Sequence, residues 1–374
     1  MKILQVNKLY SPHIGGIERV IQDISEGLSD RYDIEVLVCQ PKGRTADEVV
    51  NGIKVRRSGS IGTYFSMPVS IPFLFHFRKM ARAADIVHVH LPFPLGDLAC
   101  LLSGYKGKVV VSWHSDIVKQ KKLMTFYRPV MNAFLKRADC IFVATEGHIK
   151  GSCYLKPYAE KCRIVPYGID TGAYEKAEKY PFLTDKLSCR SSKKILFTGR
   201  LVYYKGIDVL IRAMNRTTDC ELFIAGDGVL RDELLKEVKK AGTEERIHFM
   251  GVLSDRDLKA AFSDCDIFVL PSVASSEAFG IVQMEAMVYG KPVINTDLPT
   301  GVPYVSPDGY SGITVPPGDE EKLAEAIENL VHDNELREQY GKNAYSLVRE
   351  KYEMNIVNDK ISNIYEELAG KAGK

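Results

Sequence analysis

The sequence of 374 residues lacks an apolar run long enough to span a bilayer. The nearest candidate, Phe65 to Phe77, is short and contains Pro68 and Pro72. It has little that resembles a secretory signal: Met1-Lys2-Ile3-Leu4-Gln5-Val6-Asn7 offers no apolar core before a cleavage site and reads as a short strand. None of the eight cysteines forms a CxxC pair. Cys39, Cys140 and Cys220 fall inside apolar strand patterns, as reduced core thiols of a cytoplasmic protein would, rather than disulfides or zinc ligands. Net charge is small, +2, but unevenly placed. Residues 1–170 hold 24 Lys and Arg against 15 Asp and Glu, and the remainder holds 26 against 33. The basic N-terminal part suits an anionic acceptor or membrane surface. The excess is too modest, and too bare of recognition motifs, for nucleic acid.

What the chain does have is an alternation of short apolar strands with helical stretches, too long for one core. One joint recurs: Ala84-Asp85-Ile86-Val87, Ala138-Asp139-Cys140-Ile141 and Cys265-Asp266-Ile267-Phe268. Each reads as a helix end, one aspartate, then a strand buried on both faces, the grammar of parallel α/β domains. The third copy holds Asp264-Cys265-Asp266, superficially a metal-binding pair; its siblings mark it as a joint, and no metal is expected there. Boundaries follow from where the pattern loosens. An N-terminal domain is expected over 1–170, a polar linker over 171–192 and a C-terminal domain over 193–353. The tail from about 354 to 374, with Ile356, Ile361, Ile364, Tyr365 and Leu368, is apolar enough to dock.

The most informative stretch runs from Ser275 to Met287. An apolar strand ends at Pro271-Ser272, a loop carries Glu277, and a helix after Gly280 carries Glu285 before Gly290 and Pro292 close it. Free amides at a helix start suit phosphate, and carboxylates suit hydroxyls, which together describe a nucleotide sugar. A capped helix with two solvated glutamates fits the same spacing. Gly199-Arg200 and Lys205-Gly206, at a strand end and a helix start, place two cations for a diphosphate. Gly15-Gly16 precedes a helix and allows close backbone approach, or simply a tight turn. His114 follows the strand Val109–Trp113 at an edge where open α/β sheets bind ligands. His88 and His90 fall within a strand and suit core or supporting roles. Residues 117–137 combine Lys119, Lys121, Lys122, Arg128, Lys136 and Arg137 with Leu123, Met124, Phe126 and Tyr127. They fit an amphipathic face for anionic lipid, or a solvated helix packed by its aromatics.

Taken together, Gly15-Gly16, His114, Gly199-Arg200 with Lys205, Gly226-Asp227-Gly228, and Glu277-Ala278-Phe279-Gly280 with Glu285 resemble the retaining glycosyltransferases of family 4 almost end to end. The last group matches that family's Glu-x7-Glu motif. The resemblance implies the GT-B fold, two Rossmann-like parallel-sheet domains facing a cleft, with the last helix crossing back to the N-terminal domain. It implies that Glu277 binds donor-sugar hydroxyls, that Phe279, Gly280 and Ile281 meet sugar and phosphate through their backbone, and that Glu285 holds the ribose. Arg200 and Lys205 would neutralise the leaving diphosphate. Gly15, Gly16 and Gly226 would line the donor site, His114 would contact the sugar, and the base would lie near Val252 and Leu253. The donor would be a nucleotide sugar, with GDP-mannose the first expectation and UDP or dTDP sugars the alternatives, and no divalent metal or other cofactor. The acceptor would be a glycan or polyprenyl-linked glycan of surface-polysaccharide synthesis, met in the cytoplasm at the inner membrane face. Rival readings on this scaffold are a nucleotide-sugar epimerase, a phosphorylase, or a binding protein with a dead site.

Overall fold

The computed structural model describes residues 1–13, 15–64, 67–116 and 121–370, with side chains from residue 125 in the last segment. The chain divides into two units: Met1–Gly168 with the segment from Met354 onward, and Ile169–Glu353. The first contains β1 (Lys2–Val6), β2 (Asp33–Cys39), β3 (Ala46–Val50), β4 (Ile53–Ser58), a small hairpin of β5 (Gly62–Tyr64) and β6 (Met67–Val69), β7 (Ile86–Leu91), β8 (Lys108–Trp113), β9 (Cys140–Val143) and β10 (Cys162–Ile164). Eight of these form one sheet in the order β10-β9-β8-β7-β1-β2-β4-β3. Every pairing is parallel except β3 against β4. The second unit carries β11 (Lys193–Thr198), β12 (Cys220–Ala225), β13 (Ile247–Gly251), β14 (Ile267–Val269), β15 (Val293–Thr296) and β16 (Gly312–Val315), all parallel, in the order β13-β12-β11-β14-β15-β16.

Strand side chains alternate between faces, and both faces of each sheet are covered. In the first unit Leu4, Val6, Leu37, Val87, Val89 and Val111 pack with Phe73, Phe77 and Phe134 on one face. Val36, Val38, Ile53 and Val55 pack with Ile21 and Tyr10 on the other. Alternation therefore turns Gln5, His88 and His90 to the face opposite Leu4 and Val87, and all three are buried there. In the second unit Ile195, Phe197, Leu222, Ile224 and Ile294 meet the helices Ile207–Met214 and Glu320–His332 through Leu210, Leu323 and Ile327.

The recurring aspartate joint has one geometry in all three copies. Asp85, Asp139 and Asp266 each accept, through a carboxylate oxygen, the amide at or beside the start of the neighbouring strand: Lys2 at 2.7 Å, Val109 at 2.9 Å and Lys194 at 2.7 Å. The aspartate's own amide donates back to the same residue's carbonyl at 2.9, 2.8 and 2.8 Å. These reciprocal pairs close the open end of a parallel ladder, whose first amide would otherwise lack an acceptor. Asp264, beside the third joint, accepts the amides of Leu183 and Thr184 and the Thr184 hydroxyl, each at 2.7 Å. The Asp-x-Asp is thus built into chain packing.

One segment and one residue of the C-terminal helix differ from expectation. The segment 171–192, expected as a linker, is anchored inside the second unit. Asp264 holds Leu183 and Thr184, and Glu221 accepts the amides of Ser188 and Cys189 at 3.0 and 2.8 Å. Such a segment needs no apolar periodicity, because buried Glu221 and half-buried Asp264 tie down its backbone. In the helix Met354–Leu368, which belongs to the first unit, Ile361, Ile364 and Tyr365 are buried, whereas Ile356 is exposed.

Candidate functional site

In the second unit the predicted residues gather where β11, β12 and β14 end. Lys205 closes the turn Tyr203–Lys205, and Gly206 follows at φ +65°, where a Cβ would lie 2.1 Å from the Pro271 carbonyl oxygen. That close approach carries the Lys205 ammonium to Glu277, Nζ to Oε2 at 2.5 Å, with 8% and 9% of the two residues exposed. Ser272 donates to the same carboxylate oxygen at 3.3 Å. Arg200 stays outside this pair. Its guanidinium donates to the Tyr204 hydroxyl at 3.0 Å, and no carboxylate pairs with it among the described residues. Gly226 has a reason internal to the unit: at φ +138° its Cβ would fall 1.9 Å from the Gly199 carbonyl oxygen.

Glu277 sits on the loop after β14 and Glu285 in the helix Val282–Val288. Between them Phe279 is buried with its ring edge against Tyr352. Gly280 turns at φ +76°, against Leu270. Buried Gln283 braces the corner by donating to the carbonyls of Phe279 and Val302 at 3.0 and 3.2 Å while accepting from Asn295 at 2.9 Å. Among the described residues the amides of Gly280 and Ile281 meet no acceptor, leaving donors at the helix start. Glu285 accepts the Tyr174 hydroxyl at 2.6 Å. Tyr174 comes from the stretch expected as linker, and nothing in its local sequence marks it. Val252, 79% exposed, and half-buried Leu253 follow β13 after Gly251 at φ +66°.

In the first unit Gly15 caps the helix Gly16–Gly27, and a Cβ at Gly16 would meet nothing within 4 Å among the described residues. Ile14 lies outside the described residues. Buried Arg57 pairs with Glu48 at 2.5 Å and also reaches the carbonyls of Tyr10 and Ser11, pinning the loop that leads to the glycines. His114 follows β8 with both ring nitrogens engaged: Nδ1 with the Tyr167 hydroxyl at 2.8 Å and Nε2 with His90 Nδ1 at 2.9 Å. Burial, and after it the nearby His148, push its pKa down to about 3, so the ring is neutral. Tyr167 is a second partner that the sequence did not announce.

Of the basic stretch, residues 117–120 and the side chains of Lys121, Lys122, Leu123 and Met124 lie outside the described residues. In the rest of the helix Lys121–Arg137, Phe126 is 84% exposed, while Met131, Phe134 and Leu135 are buried and Tyr127 donates to buried Asp97. Tyr127 therefore belongs to the interior rather than to an outward amphipathic face. Among the described residues no helix is long and apolar enough to cross a membrane, and no group of three or more His, Cys, Asp or Glu could hold a metal ion.

Residues 185–347 match the family model described as Glycosyl transferases group 1, and residues 14–173 match Glycosyltransferase Family 4. Similar proteins include the O-antigen chain mannosyltransferase C of Escherichia coli, 31% identical over 98% of this chain and 99% of the relative. The D-rhamnosyltransferase WbpZ of Pseudomonas aeruginosa is 33% identical over 94% of this chain and 92% of the relative. Among solved structures, Anabaena HepE in complex with UDP superposes with a TM-score of 0.79 at 20% identity, covering 98% of this chain and 100% of that one.

Proposed function

The chain belongs to the family 4 glycosyltransferases and has their GT-B fold, and from that premise we propose that it moves a hexosyl group, with retention, from GDP-mannose to a glycan or polyprenyl-linked glycan in cell-surface polysaccharide synthesis. The observation that carries the reading is the buried Lys205–Glu277 pair at the sheet edge. Breaking the anomeric C–O bond develops positive charge on the sugar and negative charge on the departing diphosphate. Lys205 and Arg200 neutralise that diphosphate, the amides of Phe279, Gly280 and Ile281 meet sugar and phosphate, Glu277 accepts sugar hydroxyls, and Glu285 accepts the ribose. Lys205 and Glu277 pair with each other in the structure, and a bound donor divides their duties between phosphate and sugar hydroxyls.

Two cations and a helix start supply the leaving-group stabilisation, so the proposal calls for no divalent metal. Retention proceeds by same-face attack of the acceptor, aided by the departing phosphate, since no carboxylate here is assigned as nucleophile. Gly15, Gly16, His114, Gly226, Val252 and Leu253 are assigned to the donor on the order of the family's motifs. A manno-configured sugar is supported by the two relatives, because D-rhamnose is 6-deoxymannose. The second reading, a UDP sugar, is favoured by the UDP bound in the HepE structure. The basic helix with exposed Phe126 supports cytoplasmic, peripheral attachment to anionic lipid.

The test is thermal stabilisation by GDP, UDP and dTDP sugars, since a ligand of the folded state raises apparent stability by mass action. It is followed by transfer to a lipid-linked glycan in the presence of a chelator. GDP-mannose should stabilise most, and the product should keep the donor's anomeric configuration. Stabilisation by none of the sugars overturns the donor site, and an inverted product overturns retention.

A further inference from the structure

A line of seven side chains runs through the interior of the first unit. From Tyr167 it passes to His114 (2.8 Å), His90 (2.9 Å), Gln5 (2.9 Å), Tyr365 (3.2 Å), His88 (2.6 Å) and Ser112 (2.8 Å). It crosses β1, β7 and β8 and includes one member of the helix Met354–Leu368. Donor and acceptor roles along it are not independent. The Gln5 amide oxygen can only accept, so His90 Nε2 carries a proton. His90 is neutral, with its pKa pushed well down by burial and then by His88 and His114, so its Nδ1 accepts. His114 must then donate through Nε2 and accept the Tyr167 hydroxyl at Nδ1. In the other direction the Gln5 amide nitrogen donates to the Tyr365 hydroxyl, which donates to His88 Nδ1, and His88 Nε2–H donates to Ser112. Every role is satisfied with all three rings neutral and protonated on Nε2.

We propose that Gln5, His90 and Tyr365 are positioning residues for His114: they fix its tautomer, so that Nδ1 accepts the Tyr167 hydroxyl at the sheet edge. The Gln5 amide sets the sense of the whole line, and because the Tyr365 hydroxyl accepts from that amide while donating to His88, the amide turns over only if Tyr365, His88 and Ser112 reverse with it. If the amide turned, its nitrogen would face His90 Nε2, and His90 and His114 would both move their proton to Nδ1. His114 would then point a donor where it had an acceptor. The C-terminal helix thereby acts on the chemistry of a residue far from it in sequence. Any consequence for transfer rests on the assignment of His114 to the donor above.

The test is Tyr365→Phe in the full chain, which keeps the buried ring packed on Phe142 and removes only the hydroxyl. The control is Tyr32→Phe, which loosens the same helix by removing bonds to Ser362 and Glu366 while keeping the Tyr32 ring against Tyr365 and every hydrogen bond of the line. Imidazole nitrogen-15 spectra of histidine-labelled protein report each tautomer directly. Wild type and Tyr32→Phe should show His114 protonated on Nε2 only, and Tyr365→Phe should show its two nitrogen signals converging as the tautomers mix. Transfer kcat should fall about 10–100-fold in Tyr365→Phe, the scale of outer partners that orient a functional histidine. An unchanged His114 tautomer in Tyr365→Phe overturns the proposal, whatever happens to the rate. A changed tautomer at unchanged kcat and KM upholds the proposal and removes His114 from the donor site instead.

Discussion

Acid should unfold the first unit at a pH that leaves carboxylate pairs intact. Burial pushes His88 and His114 down to about 3 and His148 to about 4, and His90 is lowered as well. These groups stay neutral in the fold, whereas the unfolded chain protonates them near pH 6.5. The unfolded state then binds more protons between pH 6.5 and the folded values, so stability falls as pH falls through that window. Going from pH 7.5 to 5 costs roughly 2 kcal/mol per histidine, or about 8 kcal/mol for the four. Asp97 works the other way. Fully buried, and only partly offset by Tyr127, its carboxyl is pushed up to about 8, so the fold takes up a proton that the unfolded chain does not. That returns about 3 kcal/mol over the same interval. The net loss, about 5 kcal/mol, is comparable with the whole stability of a domain. At a urea dependence of about 2 kcal/mol per molar, the midpoint should drop by roughly 2–3 M. Trp113, the single tryptophan, is buried in β8 and reports this unit by fluorescence. Asp97→Asn should steepen the loss and His148→Leu should shallow it. A Trp113 midpoint at pH 5 equal to that at pH 7.5 would refute the reasoning.

Lys205→Ala should lower kcat by about 10²–10³-fold, the scale for removing one preorganised donor. It should also lower the denaturation midpoint, because Glu277 is left buried and unpaired; a fully active variant removes Lys205 from the leaving group. Gly16→Ala should leave the denaturant midpoint of the first unit unchanged, since its Cβ meets nothing among the described residues, and yet impair transfer. Retained transfer would mean that no ligand approaches there. Gly226→Ala should instead cost about 2–4 kcal/mol of second-unit stability through the clash with Gly199, read as a lower melting temperature. Vesicles with anionic lipid should sediment the protein at low salt and release it at high salt, and absence of binding at low salt defeats the membrane reading.

The two mostly parallel sheets could be read in the sequence because most of their strands are buried on both faces, which leaves continuous apolar runs such as Ile267-Phe268-Val269. The aspartate joints were equally plain, and so was the Glu277–Glu285 corner with its glycine. Asn51-Gly52, with φ of +49° and +84°, is the tight turn that makes β3 and β4 a hairpin, and that dipeptide is a hairpin signal in the sequence itself. The pairing of Lys205 with Glu277, of Glu285 with Tyr174 and of His114 with Tyr167 was not in the sequence at all. Residues distant along the chain carry no local mark of one another; the winding of the sheets brings them together. The strand Ile86–Leu91 shows the division most plainly. Its alternation was enough to put His88 and His90 on one buried face, because strand side chains repeat every two residues. Only the tertiary structure decided that Gln5 and Tyr365 would complete that face, because a buried polar ring must find its partner wherever the chain returns.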